Sequence, residues 1–393
     1  MYLSKCPRGE SAEAVAKVNK YESKIAMKFT KPFFSIILSL LAFASSCQKN
    51  DPKTKELPIT NESKKMDVEK FYWQENINSP LGYPVEVYKG GLEAEDGSFV
   101  SLSIGPDMGN WGELRSGMST GVKAVPNRLN LTWISYAENV FYNIDTIIDY
   151  EKMTKLFKEG YQDENRKFGR KREEYNVIMT GFAPGGMVVV WIAGASKQVE
   201  IGRYQASPMK ISLEEIDRLD SHDKLLFDEA NIKRIMAKES YVPLEVQKAN
   251  KGKPIPFGLW EKYRNKFSWK VDFQPGLNRK TNNFSYTLFN GERDVRFSEQ
   301  LPEKNTEKRA IPLNFGFGWS DESGQRYGGY VKFDESEIFN GFSEIAGNSP
   351  EAPITVEIKV NVANTFVTAT LISEGKKVHL KGSEVNAYKS RRD

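Results

Sequence analysis

The chain is poor in the residues that perform most nucleophilic and metal chemistry: 393 residues include 2 cysteines and 2 histidines. Cys6 and Cys47 both stand near the amino terminus, so the remainder has no disulfide framework and must be held by packed cores. With only His222 and His379, no Cys pair and no calcium-loop spacing of carboxylates, neither a metal nor another cofactor is expected. Charge of one sign is lacking too. The formal +4 arises in the first 46 residues, which hold 7 of the 56 basic and 3 of the 52 acidic residues, leaving 49 of each sign. A neutral body without a dense Lys/Arg tract lacks the electrostatic footprint of nucleic-acid binding, and no nucleic-acid partner is expected. Nor is there a long hydrophobic run. Phe33 to Ala44 is apolar for 12 residues, broken only by serine. At about 1.5 Å per helical residue it reaches about 18 Å, short of the roughly 30 Å of bilayer hydrocarbon.

That short run is placed as a signal-peptide core. Met27 opens it, Lys28 and Lys31 give the positive flank, and it ends in Ala44-Ser45-Ser46-Cys47. Small residues before a cysteine at this distance resemble the lipobox of bacterial lipoproteins. The resemblance implies cleavage before Cys47, acylation of that residue and a membrane partner held through its lipid. Several acyl chains, at about 0.8 kcal/mol per buried CH₂, anchor durably. Gln48 after the cysteine, not Asp, permits outer-membrane delivery by the sorting rules of enterobacterial lipoproteins. An ordinary secretory signal with a chance cysteine and a buried amino-terminal helix are the alternatives. Residues 1–26 are read as a misannotated upstream extension, 27–46 as the signal peptide and 47–67 as a polar tether.

Beyond the tether a pattern occurs twice. Lys70-Phe71-Tyr72-Trp73 recurs as Lys266-Phe267-Ser268-Trp269, and Pro126 to Trp133 is matched by Pro312 to Trp319 at the same offset of seven. Each Trp is followed by an aromatic strand and an acid-led helical segment, Asp149 to Tyr161 and Asp334 to Ile345. Each copy closes with a strand pair, Tyr175 to Phe182 with Met187 to Ala193, and Ile354 to Val362 with Phe366 to Ile372. The expected fold is α+β: two tandem related domains, 68–210 and 257–393, each a mostly antiparallel sheet under one helix. A helical connector and hinge, 211–256, is expected between them, amphipathic from Ile211 to Ala237, with a polar hinge from Lys248 to Pro256. From first Trp to Pro, copy one is ten residues longer (53 against 43). The excess is assigned partly to the loop Gly105 to Gly117. Its Asp107, Trp111, Glu113 and Arg115 are the candidate contacts for a protein partner, because Trp and Arg are enriched at binding hot spots and long loops on rigid sheets carry function. The bland alternative is a packed loop plugged by Trp111.

Gly117-Met118-Ser119-Thr120-Gly121 satisfies the G-x-S-x-G pattern of serine hydrolases, but a nucleophile elbow needs a helix after the serine, and here a strand is predicted. The bases the sequence offers are His222 and His379. Gly181 to Gly186 precedes a strand and lacks the Lys-Ser/Thr of a phosphate loop, so it reads as a turn. Glu138, Asp145 and Asp149 lie near tryptophans, as sugar-cleaving carboxylates do, but nothing pairs them at a defined separation. No catalytic residue is expected.

Tyr83-Pro84-Val85-Glu86-Val87, Gly109-Asn110-Trp111-Gly112, Trp133 to Glu138, Pro184-Gly185-Gly186 and Leu259 to Trp269 together resemble a family of bacterial lipoproteins catalogued as domain of unknown function 2931. The likeness extends over most of residues 67–345. The family name implies no reaction. Relatives encoded beside lipase toxins of type VI secretion imply an envelope-anchored immunity protein. The expectation is therefore a non-catalytic protein-binding lipoprotein of the cell envelope, at the outer membrane, facing periplasm or cell surface. A structural or assembly lipoprotein is the alternative, and a serine hydrolase using Ser119 a more distant one.

Overall fold

The computed structural model describes residues 68–390, apart from 116, 166–168, 348 and 350. Cys47, the signal segment and the tether lie outside the described residues. The fold is mixed α+β and mostly strand, in several sheets with a few short helices.

The first half runs β1 (Lys70–Asn78), β2 (Val85–Glu93), β3 (Phe99–Ser101), β4 (Thr120–Ala124), β5 (Arg128–Ser135), β6 (Val140–Ile147), α1 (Tyr150–Glu159), the hairpin β7 (Tyr161–Asn165) and β8 (Gly169–Glu173), β9 (Val177–Ala183), β10 (Met187–Ala193), β11 (Gln198–Gln205) and β12 (Ser207–Met209). Short helices follow: α2 (Leu213–Asp217), a 3-10 turn (Asp223–Phe227), α3 (Glu229–Ala237), α4 (Leu244–Asn250) and α5 (Leu259–Lys262). The second half runs β13 (Lys266–Gln274), β14 (Lys280–Leu288), β15 (Arg293–Phe297), β16 (Glu307–Ala310), β17 (Pro312–Ser320), β18 (Arg326–Lys332), α6 (Glu335–Ala346), β19 (Ile354–Val360), β20 (Val367–Ser373), β21 (Lys376–His379) and β22 (Glu384–Lys389).

The same pairings recur in both halves. β1 lies between antiparallel β4 and parallel β9, as β13 lies between antiparallel β16 and parallel β19. β5 pairs with β2 and β6 as β17 pairs with β14 and β18. Pairing is mostly antiparallel, as expected, and the two parallel contacts are additions that the hairpin reading did not contain. The halves do not close separately. Gln198 of β11 pairs with Arg293 of β15, joining strands of both into one ten-stranded sheet. Five-stranded sheets, β12-β6-β5-β2-β3 and β16-β13-β19-β20-β21, accompany it. All the described residues belong to one compact unit.

Local chemistry explains the elements. Leu129, Leu131 and Trp133 alternate along β5 and are buried on one core. The Asp149 carboxylate accepts from the Lys152 amide at 2.9 Å and that of Asp334 from the Glu337 amide at 2.8 Å, capping α1 and α6. β9 and β10 are buried along their whole length. Val177, Met179, Val189 and Trp191 face the core shared with the second half, while Ile178, Val188, Val190 and Ile192 face the first-half core. An unbroken apolar strand pair of this kind is the middle layer of a three-layer body.

The connector departs from expectation. In place of one amphipathic run from Ile211, the segment is broken into α2, the 3-10 turn and α3, because Ser212 and Asp228 each cap a new helix. Leu213, at the first turn of α2, is 79% exposed, so it does not pack between the halves. The expected hinge begins inside α4, which includes Lys248 to Asn250. Among the described residues no helix is long and apolar enough to cross a membrane.

Candidate functional site

The excess of the first half sits where the sequence placed it. Residues 102–119 connect β3 to β4, whereas 298–306 connect β15 to β16. Asn76 and Asn78 of β1, both fully buried, pin this long loop. The Asn78 amide reaches the carbonyls of Asn110 and Glu113 at 3.1 and 3.2 Å, and its oxygen accepts from the Gly112 amide at 3.0 Å. Asn76 accepts from the Arg115 amide at 3.2 Å and donates to its carbonyl.

The four residues expected at a partner contact divide into two kinds. Trp111 is turned inward, edge-on to Trp191 with ring centres 5.0 Å apart and packed on the shared core, so its indole is committed to the fold. Asp107 is buried and bridges to Arg115 at 3.3 Å. Burial pushes the Asp107 carboxyl up to about 6, against the opposing pull of Arg115. Glu113 accepts from the Asn110 amide and side chain at 3.1 and 3.0 Å. Arg115 has 46% of its side chain exposed. Asp107, Glu113 and Arg115, with Gln74, line a polar hollow of about 720 Å³.

On leaving the loop the chain makes a second constellation. Ser119 sits against Glu75 of β1 and Lys123 of β4. Its amide donates to Glu75 Oε1 at 2.6 Å, its hydroxyl lies 3.0 Å from both Glu75 oxygens, and Lys123 Nζ donates to Ser119 Oγ at 2.8 Å while pairing with Glu75. Burial raises the Glu75 carboxyl, but the bonds from Lys123, its own backbone and Ser119 together hold it below the usual carboxylate range. Lys123 also lies over the Trp73 ring, 4.7 Å from its centre.

This corrects the bases that the sequence offered. Neither histidine is among the partners of Ser119. His379 Nδ1 meets Thr370 Oγ1 at 3.1 Å, and the His222 amide donates to Asp220 at 2.8 Å in the connector. Lys123 and Glu75 were the neighbours missed. Lys123 is four residues from Ser119 and therefore visible in principle, but Glu75 is 44 residues away and reaches it only through the β1–β4 pairing.

Chemically the constellation is a closed knot. The ammonium is neutralised by a carboxylate, and that carboxylate is a weak base because its charged form is stabilised, whereas general-base catalysis wants a pKa near the working pH. No helix follows Ser119; β4 does. The carboxylates near tryptophans are likewise dispersed. Glu138 accepts from Ser135, Tyr142 and the Gly185 amide, Asp145 pairs with Arg128, and Asp149 caps α1. Among the described residues no group of three or more His, Cys, Asp or Glu is placed to hold a metal.

The accessible feature here is apolar. β3 and β4 are edge strands of two different sheets. Phe99, Val100, Met118 and Val122 line a cleft of about 450 Å³ between them, with Glu75, Ser119 and Lys123 also on its wall. Phe99 is 53% exposed, Met118 61% and Val122 70%, and Tyr72, opposite Val122 in register, 57%. The sequence signal was faint: Val122 and Met118 flank glycine and polar residues and form no run.

A family model described as "Protein of unknown function (DUF2931)" matches residues 51–258, more than half of the chain. The match takes in the first half and the whole connector and stops before the Leu259 to Trp269 motif, so it does not reach the end of the 67–345 span of the resemblance. No curated protein and no solved structure matches the chain.

Proposed function

Because the chain belongs to the DUF2931 family, whose description assigns no reaction, we propose a function from its chemistry: a non-catalytic envelope lipoprotein, acylated at Cys47, that binds another protein at the β3–β4 cleft. The observation that carries the binding role is the cluster of Phe99, Met118, Val122 and Tyr72, exposed beside two strands that are sheet edges among the described residues. Free edges carry unmet backbone donors and acceptors, and apolar side chains beside them supply the burial that makes strand addition favourable. Arg115, at the loop rim, adds a cation of the kind enriched at hot spots. The anchoring role rests on the Lys28, Lys31, Phe33–Ala44 and Cys47 pattern, with Gln48 permitting delivery to the outer membrane. An immunity protein against a secreted lipase-type toxin is the partner relationship that the family resemblance implies.

The two halves are proposed to be copies of one ancestral module. The reading is supported by the paired Trp and Pro motifs together with the matching order of strand contacts. Only the first copy carries the enlarged loop, so the binding role is assigned to the first copy.

Metabolic labelling with an alkyne fatty acid tests the anchor, and pull-down of the lipidated protein tests the cleft. Wild type takes the label, and Cys47→Ser does not. Val122→Glu with Met118→Glu abolishes partner retention without moving the melting temperature. A labelled Cys47→Ser protein sinks the anchor, and undiminished retention sinks the cleft.

One observation favours a second reading, a serine hydrolase. Lys123 Nζ lies 2.8 Å from Ser119 Oγ, within proton-transfer reach. The pairing of Lys123 with Glu75 stands against it, since the lysine nitrogen is already engaged by a buried carboxylate.

A further inference from the structure

The groove between α3 and α4 has no part in the reading above. Ile232 and Met236 of α3, Val242 in the turn and Leu244 of α4 line it beside Tyr136, and it holds about 760 Å³, within the roughly 300–1,000 Å³ of small-molecule sites. Its floor offers little to a polar ligand: Ile232, Val242 and Tyr136 are buried, and the Gln247 amide nitrogen is spent on the Ala237 and Val242 carbonyls at 3.1 and 2.7 Å. A second hollow of about 510 Å³, walled by Phe141, Met209 and Phe227, adjoins across the shared residue Asn139.

The rim has the opposite character. Lys233, Lys248 and Lys251 line it against one carboxylate, Glu229, which pairs with Lys233 at 3.6 Å. Among the described residues Lys248 and Lys251 have no acidic partner. An apolar trough under two uncompensated ammonium groups complements a molecule with an aliphatic body and one anionic end. A peptide helix would need polar partners along its exposed flank, and a bare phosphate would gain nothing from the floor.

We propose that this groove binds a single-chain, long-chain carboxylate, its tail over Ile232, Met236, Val242 and Leu244 and its head between Lys248 and Lys251. Met236 suits the role, since an unbranched thioether adapts to chains of differing length.

The test uses the full chain and the fluorescence of 11-(dansylamino)undecanoic acid. Palmitate displaces the probe below its micelle concentration, and methyl palmitate, with the same tail and no charge, does so roughly tenfold more weakly. Lys248→Glu with Lys251→Glu, both at exposed positions, weakens palmitate by roughly tenfold and leaves the ester unchanged. Leu244→Asp weakens both. Absence of displacement by palmitate overturns the proposal, and so does equal binding of acid and ester unaffected by the lysine changes. The cleft at β3–β4 is untouched by these variants, so this site and the proposed partner site fail independently.

Discussion

Gly112 and Gly291 meet backbone to backbone: a Cβ on Gly112, whose φ is +77°, would fall 2.4 Å from the Gly291 Cα. The buried Gln198 amide nitrogen donates to the carbonyls of both, at 2.8 and 2.7 Å. Trp191 closes the contact by donating to the Asn290 carbonyl at 3.2 Å. The enlarged loop of the first half is thereby fastened to the second, close to where β11 meets β15.

Gly112→Ala must open that contact and hold alanine in a left-handed backbone conformation. Overpacking costs about 1–3 kcal/mol and the conformation about 1–2 more, so a loss of roughly 2–5 kcal/mol is expected. It is read as a lower urea midpoint at unchanged slope. A midpoint equal to wild type would mean that the loop yields freely and does not tie the halves.

Arg309 repeats, in the second half, the place of Lys123 in the first. Each stands opposite the phenylalanine two residues before the buried Trp, Phe71 or Phe267, and each puts its cation over that Trp, with Arg309 3.9 Å from the Trp269 ring centre. Glu303 holds the guanidinium at 2.7 and 3.0 Å and also accepts from the Val271 amide at 2.7 Å. Arg309→Met leaves that buried carboxylate with Arg296, 3.4 Å away, as its remaining cation and is expected to cost about 3 kcal/mol. Adding Glu303→Gln removes the charge while keeping an acceptor for Val271, and should recover most of the loss in urea unfolding. If the double variant is no more stable than the single one, the damage lies in packing on Trp269 and not in the under-compensated charge.

The recurrence of Trp and Pro motifs, the capping acids Asp149 and Asp334 and the location of the extra loop were legible because each is written in local spacing. The joined ten-stranded sheet was not, since it rests on the single Gln198 to Arg293 pairing of two edges with ordinary strand composition. A sign of it was available in Met187-Val188-Val189-Val190-Trp191-Ile192-Ala193, which does not alternate and so belongs to a strand covered on both faces. At the candidate site, the sequence singles out Asp107 and Arg115 by their place in the glycine-rich loop, and their pairing with each other is visible only in the fold. Trp111 misled because a tryptophan in a glycine-rich loop reads alike whether it points out or in. Glu75 was hidden because a carboxylate inside an apolar strand shows its partners only after β1 and β4 pair.

Ser119 gives a direct test of chemistry. With its hydroxyl locked between Glu75 and Lys123, a fluorophosphonate probe should leave the folded protein unlabelled. Ser119→Ala removes the hydroxyl's bonds to two charged groups, Glu75 and Lys123, each worth about 1.5–3 kcal/mol, and should change stability only. Stoichiometric labelling that Ser119→Ala abolishes would transfer the assignment to a hydrolase with Lys123 as base.

Asp107 supplies the pH dependence, and its sign is opposite to that of a well-paired carboxylate. Only 10% of its side chain is exposed, Oδ2 lacks a hydrogen-bond partner among the described residues, and the Arg115 ion pair at 3.3 Å does not repay burial, so its folded pKa is about 6 against an ordinary 3.8. The folded state then holds a proton that the unfolded chain has lost, and stability falls as pH rises across that interval. The contribution is complete below about pH 4 and gone above about pH 6, amounting to roughly 3 kcal/mol at most. Asp107→Asn cannot titrate, so the wild-type advantage over it in urea unfolding should shrink by about 2–3 kcal/mol between pH 4 and pH 7. Glu75, shifted downward, loses its stabilisation as pH falls, but it is present in both proteins and cancels in the difference. A difference that stays constant across the range would mean that Asp107 ionises as freely in the fold as in the unfolded chain, and that Arg115 compensates its burial in full.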